Sequence, residues 1–447
     1  MNLSEFVQKK YFAFALTAVA LVSTAALAAR FRPAQDTVVR SVLVNHNQDV
    51  QEEPEKPEES TKIETDQKPV VQAPIETLTH KQVLNSPSSY NLDTIYQTLE
   101  QRCSQNDSIC VIDFLKEITT QYGPEAASET LRSAQKKTLI SSWIDDHQIA
   151  HQIGRTTAES FGINGEAFLK CSTAYNYGCQ HGFFEYALGR TDSTKDAADM
   201  ICGQFEKSDS YSPKFKFYCY HGVGHGVMMA QANDIFRSLA ICDTFATSVG
   251  QAGCWQGAFM ENINAVFRHE ARQGVFSTAD PLSPCNAVEN KYRHECYINH
   301  SGWLVHVFAN DVGNSTSACL GAGAFINSCL QSIGLMVTNP TWQMPLAGNA
   351  GNKSFEEIAW HLCRQFPAGY VGQCVFGAVD NVMNFDELNA SRARKFCSLV
   401  DSEMKDSCYE QIGRNLRNQS ASRAVIEQQC SISDERYARM CLRGGGL

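Results

Sequence analysis

The stretch that decides the fold is Glu356–Val382, EEIAWHLC(363)RQFPAGYVGQC(374)VFGAVDNV. Ile358, Leu362 and Phe366 recur at helical spacing and share one face. Pro367 and Gly369 then break the helix, because proline cannot continue it and glycine tolerates a reversing backbone. A second helix is expected to begin near Gln373. Cys363 falls in the last turn of the first helix and Cys374 in the first turn of the second, so their Cα atoms can approach the roughly 5.5 Å that a disulfide requires. Gly377 follows three residues later. A mid-helix glycine costs about 1 kcal/mol, so a recurrent one implies close packing of the two helices.

Working outward, the same unit recurs. The 18 cysteines, none before Cys103, fall into neighbouring couples: Cys103 with Cys110, Cys171 with Cys179, Cys202 with Cys219, Cys242 with Cys254, Cys285 with Cys296, Cys319 with Cys329, Cys363 with Cys374, Cys397 with Cys408, and Cys430 with Cys441. From Cys171 onward the first members repeat every 31 to 44 residues. A glycine three residues after the second cysteine returns at Gly182, Gly222, Gly257, Gly377 and Gly444. Periods of this length signify a repeat architecture. Cys-x2-Cys spacing, which zinc ribbons need, is absent, so disulfides are the expected use of the sulfurs. Each would close a short loop worth about 2–3 kcal/mol in the loop-entropy treatment. The expected fold is all-α: tandem disulfide-stapled helical hairpins in an α-solenoid-like array. Its architecture resembles that of known disulfide-stapled helical-repeat proteins. The repeated alanine and Leu-Gly positions of their consensus are not evident here, and no family membership follows.

Upstream, the chain changes character. Tyr11–Ala29 is an uncharged run of 19 residues between Lys10 and Arg30. It reads as an export signal, either cleaved after the small-residue pattern Ala26-Leu27-Ala28 or retained as a membrane anchor. Residues 31–90 hold six of the 13 prolines, and eight acidic residues against two lysines lie between Asp49 and Asp66. Such a segment cannot offset its ordering entropy by burial. It reads as a disordered linker reaching on the order of 40 Å. The expected domains are therefore 1–30 leader, 31–90 linker and 91–447 helical repeats, with a histidine-rich part at about 142–232. The expected location is membrane-anchored with an extracytoplasmic domain, or secreted. A formal charge of −10 argues against a nucleic-acid partner, which needs a basic face.

Chemistry is expected at histidine. His147 and His151 stand four apart, as do His221 and His225, which places each pair on one helical face. His181 lies two residues after Cys179, as His221 lies two after Cys219, so they occupy equivalent positions in consecutive repeats. Packed helices lie about 8–10 Å apart, close enough for imidazoles from neighbouring helices to meet one ion. Glu185, four after His181, is a carboxylate candidate. With the thiols oxidised, a site built from nitrogen and oxygen suits zinc, copper, iron or manganese. Met228 and Met229 would tilt the choice towards copper, and His300 is a further candidate if the array curls. No Gly-x-Ser-x-Gly, phosphate-binding loop, His-Glu-x-x-His or Cys-x-x-Cys-His motif occurs. Two functions compete: an extracytoplasmic metal-binding protein, acting as a metal-dependent enzyme in its fullest form, or a solenoid scaffold for a protein or glycan partner whose histidines are structural.

Overall fold

The computed structural model describes residues 90–447 apart from 141–145, 192, 207, 209–210, 340–341, 344–345, 347–352, 387 and 420. The expected leader and most of the expected linker lie outside the described residues. Every described regular element is helical.

All nine cysteine couples are disulfides between sequence neighbours, with Cα–Cα distances of 5.4 to 5.8 Å. They run from the bond of Cys103 to Cys110, ahead of the histidine-rich part, to the bond of Cys430 to Cys441 in the last hairpin. The sulfur of Cys110 is the less protected of the first couple: its residue is half-buried, whereas Cys103, Cys430 and Cys441 are buried. No cysteine is free. The hairpin around Cys363 shows how one unit forms. Ser354 caps the helix Phe355–Cys363 in a reciprocal capping box with Glu357. Gly369 turns the chain at φ +86°, in the left-handed region where a β-carbon would strain the backbone. The helix Val371–Phe385 then starts, carrying Cys374 in its first turn.

In most units a short outer helix ends at or beside the first cysteine, and a longer inner helix carries the second. Eight inner helices matter below: α1 (Asp146–Phe161), α2 (Gly178–Leu188), α3 (Pro213–Ala230), α4 (Ser248–Phe267), α5 (Ile326–Met336), α6 (Val371–Phe385), α7 (Ser402–Asn418) and α8 (Glu435–Gly445). The start of α3 is set locally: Pro213 occupies the first helical position, and the Ser212 hydroxyl accepts from the Phe215 amide.

The recurrent glycines do promote close packing, but between successive inner helices rather than within a hairpin. A β-carbon at Gly182 of α2 would sit 1.9 Å from the His151 carbonyl oxygen of α1. One at Gly257 of α4 would sit 1.9 Å from the His221 carbonyl oxygen of α3. The same relation holds for Gly377 of α6 against Gln331 of α5, and for Gly444 of α8, three residues after Cys441, against Glu410 of α7. The disulfide holds each hairpin shut; the glycine lets one hairpin lie against the next.

The inner helices line the concave side, and the array curls far enough for distant repeats to meet. Lys214 Nζ on α3 donates to Asn384 Oδ1 on α6 over 3.2 Å. Among the described residues one stretch, Val312–Met336, is long and apolar enough to cross a membrane by composition. It is half buried, kinked at Gly323 and folded back by the Cys319–Cys329 bond, so it is a core hairpin and not a continuous span.

Candidate metal centre

Five histidines from three consecutive inner helices converge. His147 and His151 project from α1, His181 from α2, and His221 and His225 from α3. Gly182, Gly222 and Gly226 allow this: Gly182 brings α2 against the His151 backbone, and Gly222 and Gly226 bring α3 against Gln180 and Phe184 of α2. Ring centres within the set His147–His151–His181 are 4.6, 5.2 and 5.5 Å apart. Those within His181–His221–His225 are 4.8, 4.8 and 5.1 Å apart. In each set one potential ligand atom per residue lies within 4.8 Å of the others.

The hydrogen bonds fix the tautomers. His147 Nδ1–H donates to the Tyr175 carbonyl oxygen at 2.7 Å. That carbonyl is presented by a run of three non-glycine residues in the left-handed region, Tyr175, Asn176 and Tyr177, at φ 51° to 65°. Such residues cost of order 1–3 kcal/mol each and persist only where the surroundings hold them. Here Tyr177 stacks on Tyr218 with ring centres 4.2 Å apart. His151 Nδ1–H donates to Glu185 Oε1 at 2.7 Å, and Arg155 donates to the other carboxylate oxygen, Oε2. The arrangement recurs one step along the array. His225 Nδ1–H donates to Glu261 Oε2 at 2.9 Å, and Arg268 donates to Glu261 Oε1. His221 Nδ1–H donates to Gln256 Oε1 at 2.9 Å.

Every Nδ1 of these four rings is thus spent on an acceptor, which leaves Nε2 as a bare lone pair in the neutral ring. Those lone pairs face each other: His147 Nε2 to His151 Nε2 is 3.0 Å, and His221 Nε2 to His225 Nε2 is 3.2 Å. Two lone pairs at that distance repel unless a proton or a metal ion lies between them. His181, fully buried between the two pairs, has no protein partner for either ring nitrogen. An unpaired buried polar group costs about 1–3 kcal/mol.

The electrostatics oppose protonation of His147, His181 and His221. Burial, helped by His151, pushes His147 down to about 3. Burial and the neighbouring imidazoles hold His181 and His221 well below the ordinary histidine value. Burial alone would push the Glu185 and Glu261 carboxyls up. The imidazole and arginine beside each outweigh it and hold both below the usual carboxylate range.

Beside the cluster lies a cavity of about 1020 Å³. His147, His221 and Gln256 form part of its wall, with Lys214, Tyr218 and Arg268 nearby. Across it stand Asp380, Gln411 and Asn415, where Asp380 is half-buried and accepts from Gln331, Gln411 and Asn415. The remaining three histidines of the cluster sit behind this wall.

All five expected histidines are therefore brought together, and Glu185 joins them. Glu185, His225 and Glu261 also form a compact group, but both carboxylates already accept from an imidazole and an arginine. In this geometry they orient the rings. Sequence reasoning missed Glu261, Gln256, Arg155, Arg268 and the Tyr175 carbonyl. Gln256 was legible, because it holds the place two after Cys254 that His181 and His221 hold after theirs. His300 does not join the centre: its Nε2 bonds the Pro281 carbonyl oxygen at 2.7 Å, and the nearby Cys285 and Cys296 are bonded to each other. Met228 is core and Met229 is solvent-exposed, so neither supports copper.

Fold and site together define a disulfide-rich helical protein with buried histidine groups that could hold a metal ion, and its nine disulfides point to an oxidising environment. No protein-family model, curated protein or solved structure matches the chain.

Proposed function

We propose that the protein is an extracytoplasmic metal-binding protein, membrane-anchored or secreted, whose five-histidine centre serves a reaction in the adjoining cavity. The observation that carries this reading is the facing of bare Nε2 lone pairs at 3.0 and 3.2 Å around an unpartnered His181. Metal-ligating histidines characteristically donate their other ring N–H to a carboxylate or backbone carbonyl. Glu185, Glu261 and the Tyr175 carbonyl act in that capacity. Two imidazoles on one tetrahedral ion at about 2.05 Å have ring centres about 5 Å apart, which matches both sets. An all-nitrogen ligand set suits zinc, copper or iron. Such an ion acts as a Lewis acid or activates bound water, and His147 and His221 place that chemistry at the cavity wall.

The test is elemental content. Tag-free protein from an oxidising compartment, stripped with chelator and reloaded with zinc, copper or ferrous ion, should retain stoichiometric metal after gel filtration. Combined His147→Ala and His221→Ala replacement should abolish retention. Failure to retain any of these ions would leave the second reading, a scaffold for a glycan or protein. The amide-rich cavity lining (Asn176, Asn264, Asn299, Asn381, Asn384, Asn415) suits a polyhydroxylated ligand.

A further inference from the structure

We infer that the centre is dinuclear, with the His181 imidazole bridging two ions. One ion is held by His147 and His151, the other by His221 and His225. This rests on the metal reading above and adds the nuclearity and the role of His181.

An ion bound at about 2.0–2.1 Å keeps its nitrogens within about 4.2 Å of one another. The candidate nitrogens do not form one group of that size. They form two triads whose ligand atoms lie within 4.8 Å of one another, so that each need tighten by no more than about 0.6 Å around an ion, and His181 is the one residue common to both. A single ion can satisfy one triad and would leave the other pair of lone pairs facing at 3.0 or 3.2 Å. The surroundings are duplicated as well. Each pair has its own carboxylate behind it, Glu185 or Glu261, and each carboxylate has its own arginine, Arg155 or Arg268.

His181 differs from the other four. Each of them has one nitrogen committed to a protein acceptor, whereas His181 has neither committed. It is also fully buried, so bulk solvent offers no substitute partner. A ring with two available nitrogens between two dyads is the geometry of a bridge. The proton balance is simple. The first ion binds the lone pair of neutral His181. Binding of the second ion to the other nitrogen releases that N–H proton to solvent and leaves a bridging imidazolate. No electron transfer is involved. Two ions joined this way lie about 6 Å apart.

Copper(II) is the probe, since bridged copper ions couple magnetically. Stripped, tag-free, full-length protein is titrated with copper sulfate and examined by elemental analysis and low-temperature electron paramagnetic resonance. The expected result is two coppers per chain, with a double-integrated signal that accounts for only a small fraction of them. In His181→Ala and His181→Gln the retained copper should give its full spin count. Circular dichroism checks that both variants fold. One copper per wild-type chain, or two with a full spin count, would overturn the bridge while leaving the metal reading intact. No retained copper would overturn both.

Discussion

Replacing Gly257 by alanine tests the link between repeat packing and the metal centre. The added β-carbon would lie 1.9 Å from the His221 carbonyl oxygen, whereas ordinary contact begins at 3.4 Å. Helices α3 and α4 must therefore separate by about 1.5 Å, the difference between those values. Overpacking of this kind costs about 1–3 kcal/mol, with the upper end expected because the obstructing atom is backbone. Alanine returns about 1 kcal/mol of helix propensity. The net loss is about 2 kcal/mol. The same shift pulls Gln256 from His221 and Glu261 from His225, and metal sites tolerate displacements of only about 0.5 Å. Metal affinity should fall by about 10–100-fold, as for loss of an orienting partner. The control is Gly372→Ala on α6, where a β-carbon meets nothing within 4 Å. That variant should be about 0.5 kcal/mol more stable than wild type. Urea midpoints followed by circular dichroism on oxidised protein, with zinc affinities by competition, provide the assay. Equal midpoints and equal affinities for wild type and Gly257→Ala would refute the close-packing argument.

Glu261→Gln keeps an acceptor for His225 but loses the charge that holds Arg268, and zinc affinity should drop about 10–100-fold by the same competition assay. The metal-free protein should lose stability on acidification. His147 titrates near 3 when folded and near 6.5 when unfolded, so between those values the unfolded chain binds more protons. Its contribution is complete above about pH 6.5 and declines towards pH 3; a urea midpoint at pH 4.5 no lower than at pH 7.5 would contradict this. Peptide mapping without reductant should recover each cysteine bridged to its neighbour, Cys103 to Cys110 at one end of the array and Cys430 to Cys441 at the other. Removing Cys397–Cys408 by double serine replacement should cost about 2–3 kcal/mol in chemical denaturation.

The hairpin fold was legible because its signals are local. Cys363, Pro367, Gly369 and Cys374 lie within one reversal of the chain, and a disulfide of that span has few partners to choose from. The convergence of His181 and His221 was legible because repeats copy positions, and the pairing of His147 with His151 because a spacing of four shares one helical face. The role of the glycines was read one step short: Gly257 touches His221 of the preceding unit, and a single hairpin does not reveal what lies beside it. Glu261 escaped because it stands seven residues after its cysteine, whereas Glu185 stands six after its own. The Tyr175 carbonyl escaped because its left-handed run contains no glycine to announce it. The cavity depends on how far the array curls, a sum of small rotations between repeats that no local pattern encodes. It becomes visible only through contacts such as Lys214 with Asn384.

In the proposed centre imidazole nitrogens, and not sulfur, hold the metal. X-ray absorption at the zinc K-edge of the zinc-loaded, fully oxidised chain tests it most directly. Nitrogen or oxygen scatterers are expected at about 2.0–2.1 Å, with the outer-shell pattern of imidazole. A sulfur shell at about 2.3 Å, or no zinc left to measure once free ion is removed, would contradict it.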